Sequence, residues 1–80
     1  MKGKMVRFSD DFLITEFGYS AVMRGDIPQW AKQTGEIEYS HRNGSRSTSS
    51  WILCGIVWND GSRSTVNHWN LSDLNGNPII

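Results

Sequence analysis

Residues 41–69 read HRNGSRSTSSWILCGIVWNDGSRSTVNHW, and the pentapeptide GSRST stands in this stretch twice, at Gly44 to Thr48 and at Gly61 to Thr65. Each copy follows a turn residue. Asn43-Gly44 and Asp60-Gly61 are dipeptides that supply positive φ at both central positions of a type I′ turn, whose twist matches that of the flanking strands. Two hairpins are therefore predicted. Between them Ser49 to Trp58 is the most apolar and β-prone segment of the chain, and both hairpins share it as their central strand.

Counting outward from the turns predicts the register. Asn43-Gly44 places His41 opposite Arg46, Tyr39 opposite Thr48 and Ile37 opposite Ser50; Asp60-Gly61 places Trp58 opposite Arg63, Ile56 opposite Thr65, Cys54 opposite Asn67 and Ile52 opposite Trp69. Parity then assigns Ile37, Tyr39, Ile52, Cys54, Ile56 and Trp58 to one face. Trp51, Leu53, Val57, Val66 and His68 fall on the other. A central strand that is apolar on both sides needs a covering layer or a bend, and Gly55 at its midpoint permits the bend. On this register Arg46 and Arg63 share a face at opposite ends of a long strand, roughly 40 Å apart at ~3.3 Å per residue. The repeat then reads as one hairpin solution used twice, unless the strand bends or neighbouring subunits bring the two arginines together.

In the N-terminal half, Met5 to Phe8 reads as an edge strand guarded by Lys2, Lys4 and Arg7. Ser9-Asp10-Asp11 is a helix start, with Ser9 as N-cap and two carboxylates at the positive end of the dipole. The helix runs from Phe12 to Phe17 and Gly18 stops it, although β-branched Ile14 and Thr15 leave a strand as the alternative. Tyr19 to Arg24 alternates as a strand does, closed by Gly25-Asp26. Pro28 to Gln33 is a short helix with proline in its first turn, and Trp30 lies as a lid over the core. Gly35 to His41 alternates with period two. Beyond Trp69, Leu71 and Leu74 are spaced as in a single 3₁₀ turn, and Asn75 to Pro78 form a loop before Ile79-Ile80.

These elements define one domain over residues 1–80, an α+β fold dominated by β structure. It has a small antiparallel sheet with a three-stranded meander over about residues 35–70 and one or two short helices in the N-terminal half. A meander, a helical turn and a last short strand resemble the element order of SH3-like and Tudor-like small barrels, which implies a bent sheet and no particular function.

Composition narrows the functions. Eight basic residues balance eight acidic ones, so no global field draws in nucleic acid or an anionic membrane. A single cysteine, Cys54, cannot form an internal disulfide and points to a reducing, cytoplasmic setting. No apolar run approaches ~20 residues, and the start of the chain shows no signal-peptide core.

Catalytic and metal chemistry finds few residues. Cys54 lies between Ile52 and Ile56, where burial raises a thiol pKa, and the register turns it away from His68. His41 and His68 lack metal-ligand spacing, neither repeat glycine belongs to a phosphate loop, and no cofactor is implied. A non-enzymatic protein is expected.

Binding is better supported. Asp10 through Glu38 holds six acidic residues against Arg24 and Lys32, whereas His41 through Trp69 holds Arg42, Arg46 and Arg63 against Asp60. Arginine beside aromatic side chains is typical of recognition surfaces. Arg42, Arg46, Arg63, Tyr39, Trp58 and Trp69 are the candidate binding residues. Trp58 opposite Arg63 would also be placed for a cation–π contact.

Three readings follow. The chain is a protein-binding module or inhibitor of the kind encoded by phages and mobile elements. As an alternative it binds nucleic acid by aromatic stacking and Arg–phosphate contacts. The third reading is a site for a small anionic ligand, such as a nucleotide, between protomers.

Overall fold

The structure is a computed structural model that describes residues 1–43 and 51–80. In chain order these form β1 (Met5–Phe8), α1 (Asp10–Phe17), α2 (Tyr19–Arg24), a 3₁₀ turn (Gln29–Lys32), β2 (Thr34–Asn43), β3 (Trp51–Trp58), β4 (Arg63–Asn67), a second 3₁₀ turn (His68–Asn70) and β5 (Leu71–Ser72). The strands make one antiparallel sheet in the order β4-β3-β2-β1-β5. The three-stranded meander and a 3₁₀ turn before a last short strand are present. The helices occupy the connection between β1 and β2, and the sheet stays open because β4 and β5 do not pair among the described residues. β1 is therefore an interior strand, not the predicted edge, since β5 pairs along its other side.

α1 begins where Ser9 caps it: the Ser9 hydroxyl accepts the Phe12 N–H at 3.2 Å, and Asp10 and Asp11 lie in the first turn. Such a cap contributes about 1 kcal/mol. The predicted strand over Tyr19 to Arg24 is instead α2. Six alternating residues do not distinguish the two states, and packing decided. In the helix, adjacent Ala21 and Val22 turn inward while Tyr19, Ser20 and Met23 face solvent, and Val22 packs against the core. Pro28 immediately precedes the 3₁₀ turn, whose Ala31 is buried.

The meander differs from its predicted register in both hairpins. In the first, Asn43 pairs with Trp51, His41 with Leu53, Tyr39 with Gly55 and Ile37 with Ile56. Tyr39 is thus not opposite Thr48, nor Ile37 opposite Ser50. The Gly44 turn position, Arg46, Thr48 and Ser50 lie outside the described residues. Between Ile37 and Tyr39 the ladder shifts by one, leaving Glu38 as the extra residue of a bulge. The bend falls in β2 rather than in β3, and it turns Tyr39 and His41 to the face opposite Ile37.

In the second hairpin, the Gly61 N–H bonds the Trp58 carbonyl at 2.9 Å and the Trp58 N–H bonds the Ser62 carbonyl at 2.8 Å. Gly61 takes φ +88° and Asp60 does not take positive φ. This is a turn closed by a left-handed glycine in a one-residue bulge, not a two-residue type I′ turn. The extra residue slips β4 by one: Val57 faces Arg63, Ile56 faces Ser64, Gly55 faces Thr65 and Cys54 faces Val66. Val66 joins the core side, and Trp58 no longer faces Arg63.

At the C-terminus the 3₁₀ turn falls on His68–Asn70 and Leu71 enters the sheet, while Ser72 makes a single bridge to Pro78. Leu71 is buried, which is why it serves the sheet and not the turn that its spacing from Leu74 suggested.

One face of the sheet carries the core, formed by Val6, Phe8, Leu13, Ala31, Ile37, Cys54, Ile56, Trp58 and Leu71. Phe8 is its hub. Its ring stacks between Phe12 and Trp58, each at 4.8 Å, and meets Trp30 edge-on at 5.6 Å. Trp30 is the lid its sequence position suggested. Each such aromatic pair adds about 1 kcal/mol beyond simple burial.

Candidate functional site

The alternation that sends Cys54, Ile56 and Trp58 into the core sends Trp51, Leu53, Gly55 and Val57 to the opposite face. Those three apolar side chains are half-buried and stand outside the core cluster. Among the described residues, α1, α2 and the first 3₁₀ turn pack on the core side through Leu13, Val22 and Ala31. No described helix covers the far side of β3. From Trp51 to Val57 the strip is about 20 Å long.

Two groups of side chains flank it. At its middle Tyr39 lies across Gly55, half exposed at 51%, with its hydroxyl 3.4 Å from the Thr65 hydroxyl. Beside it, Arg63 grips Glu38 through two nitrogens, at 3.3 and 3.4 Å. Glu38 is present here because it is the bulge residue, so one irregularity in β2 places both the aromatic ring and the carboxylate on this face. Together with Ser64 and Thr65 they line a shallow depression of about 160 Å³. The ion pair is solvent-exposed and contributes at most about 1 kcal/mol to folding.

At the end of the strip Trp51 approaches Trp69 at 6.2 Å, and Trp69 meets the His68 ring at 5.0 Å. Trp69 is 53% exposed. His68 is held in place because its Nδ1 accepts the Ile52 N–H at 3.0 Å, substituting for a backbone acceptor where β4 has ended. Beyond Trp69 a cavity of about 510 Å³ opens between the start of α1 and the C-terminal residues, lined among others by Asp10, Asp11, His68 and Ile79.

The six residues singled out from sequence are thus dispersed. Tyr39 and Arg63 come together on the open face, and Trp69 stands at its end. Trp58 is buried at 5%, stacked on Phe8 with its indole N–H donated to the Ser64 hydroxyl, so it belongs to the core and not to a surface. Arg42 pairs with Ile52, whose parity is that of Cys54, and so stands on the side away from Tyr39. Arg46 lies outside the described residues. Trp51, Leu53 and Val57 were not singled out, although their odd-numbered spacing in β3 was a readable signal.

Cys54 is fully buried, and loss of solvation pushes its thiol above the ordinary value. Among the described residues no three His, Cys, Asp or Glu side chains cluster as metal ligands, and no helix is long and apolar enough to cross a membrane. Compared with known proteins, the chain matches no family model, no curated protein and no solved structure.

Proposed function

We propose that the chain is a non-enzymatic binding module, an adaptor or inhibitor that engages another protein through the open face of its sheet. The observation that carries this reading is the strip Trp51, Leu53 and Val57, half-buried on a face that no described element covers, while the opposite face holds a complete core. Tyr39 and Trp69 add rigid aromatic area and Arg63 adds a forked donor at the rim, the residue types that dominate binding hot spots. Nucleic acid is the weaker partner, because Arg63 is already held by Glu38 and the chain is neutral overall. A single buried thiol suits a reducing, cytoplasmic setting.

The test is affinity capture from lysate of the source cells with the wild-type chain and with Leu53→Glu, a change outside the core. The expected result is one stoichiometric protein recovered by wild type and reduced about 10-fold or more by the variant, as for a central hot spot. Equal recovery by both chains, or no specific protein with either, overturns the reading. Oligonucleotide binding at low salt that survives Leu53→Glu would also overturn it.

A further inference from the structure

The two edges of the sheet are finished differently. Along β5 the C-terminal loop folds back: the Asp73 N–H bonds the Asn77 carbonyl at 2.8 Å, the Asp73 carboxylate accepts the N–H groups of Asn75 and Asn77 at 2.9 Å each, and Pro78 is laid against Ser72. Proline has no N–H to offer a further strand. That edge is closed.

Among the described residues β4 has no such cover. Arg63, Ser64 and Thr65 are exposed, and apart from the charge of Arg63 the strand Arg63–Asn67 contains no proline, no lysine and no bulge to blunt its edge. Its pairing shows which backbone groups are free. The Trp58 N–H donates to the Ser62 carbonyl, while the Ser62 N–H donates to the Asp60 carboxylate; at every second position beyond it, Ser64 and Val66 turn their N–H and C=O groups toward β3. Arg63 and Thr65 turn theirs outward, where no described residue receives them; Asn67 turns out its N–H, while its carbonyl opens the 3₁₀ turn His68–Asn70.

We propose that β4 pairs antiparallel with β4 of a second copy of this chain, about a two-fold axis at Thr65. Outward-facing residues must meet outward-facing residues, which limits the register. With Thr65 opposite Thr65 of the other copy, Arg63 meets Asn67 in both directions, and the N–H and C=O of Thr65, the Arg63 carbonyl and the Asn67 N–H find partners. Centring the axis on Arg63 would oppose like charges and leave most of the edge unpaired. The Thr65 register instead sets two β-branched hydroxyl residues face to face at the centre, a favourable cross-strand pair. The contact is isologous and closes at two copies. An axis perpendicular to the sheet keeps both helical layers on one side. The two open faces then form one continuous surface on the other.

The test is sedimentation velocity of the full chain over a concentration series, with Thr65→Glu and Thr65→Pro alongside. Wild type is expected to shift from monomer to dimer as concentration rises. Thr65→Glu sets like charges opposite each other at the axis, and Thr65→Pro removes an N–H that the fold itself does not use. Both variants are expected to remain monomeric where wild type is half dimeric, with a cooperative melt retained by at least one. Wild type that stays monomeric throughout overturns the proposal, as does a folded Thr65→Glu or Thr65→Pro that dimerises like wild type. If neither variant folds, Thr65 serves the monomer rather than the edge, and the proposal fails.

Discussion

The ring of Tyr39 occupies the space that a side chain on Gly55 would need: a Cβ built there would lie 2.1 Å from Cε1 and 2.3 Å from Cζ of the ring. The pair links the bulge in β2 to the centre of β3, since only the register shift at Glu38 brings Tyr39 to this face. The glycine is needed for close approach of the ring and not for a bend in its own strand.

Gly55→Ala should therefore destabilise by about 1 kcal/mol, because the half-exposed ring can lift away at the cost of its packing and its contact with Thr65. Gly35→Ala should cost more, about 3 kcal/mol, since its Cβ would meet the Val57 carbonyl oxygen at 2.8 Å, Ile56 Cγ2 at 2.6 Å and Trp58 Cε3 at 2.9 Å, all set by buried strand or core. Urea titration gives both values from the shift in midpoint at constant slope. Combined with Tyr39→Ala, the Gly55 change should cost much less than it does alone, and simple additivity would show that the two residues are not coupled.

Trp58 should behave as a core residue. Trp58→Ala is expected to lose about 3–5 kcal/mol. Trp58→Phe should lose about 1 kcal/mol more than its volume change implies, because the indole N–H to Ser64 is gone. Ser64→Ala, which removes the partner of that N–H on the exposed edge strand, should cost about 1 kcal/mol. A Trp58→Phe protein as stable as wild type would show that the hydrogen bond contributes nothing.

The closed edge should be sensitive to acid. The backbone N–H groups of Asn77 and then Asn75 hold the Asp73 carboxyl below its ordinary value of 3.8, and Ser62 does the same for Asp60. A carboxylate depressed in the folded state stabilises the fold above the unfolded value, and that contribution is lost as pH falls through the folded one. Melting temperature should thus drop as pH falls below about 4. Asp73→Asn should begin lower at neutral pH and fall less steeply, and a parallel fall in wild type and variant would assign the acid loss to other groups.

Cys54 should resist modification in the native state. Its thiol is fully buried and kept protonated by loss of solvation. Reaction with an aromatic disulfide reagent at pH 8 should be on the order of 10²-fold or more slower than for a free thiol, and should accelerate with urea as the chain opens. Rapid stoichiometric labelling in buffer would show that β3 is accessible.

Much of the helical and strand content was legible from local chemistry. Ser9 with two following carboxylates marks the start of α1 and Gly18 its end, and Pro28 precedes a short helical turn, because caps and proline act through their nearest neighbours. Alternation located β2 and β3. Tyr19 to Arg24 alternates as a strand yet forms a helix, because a six-residue amphipathic segment satisfies either period and the contact of Val22 with the core selects the helix.

The candidate site was less legible, and two single residues account for most of that. Glu38 in β2 and Gly61 after the Trp58 turn each add one residue to a strand or its connection, and a shift of one exchanges the faces. Tyr39 moved outward and Val66 inward for this reason. Trp58 kept its predicted side but lost Arg63 as a neighbour. Nothing in the Gly-Ser-Arg-Ser-Thr repeat distinguishes a two-residue turn from a bulged one, since Asp-Gly serves both.

By itself, then, the sequence determined the elements and the meander, since hydrophobic period, capping and turn residues act over a few positions. Only the tertiary structure decided which face each strand presents, which edge is closed and which side chains share the open surface. Those depend on register, and register turns on one extra residue in β2 at Glu38 and one in the turn at Gly61, which the local sequence does not announce because Asp-Gly serves either turn.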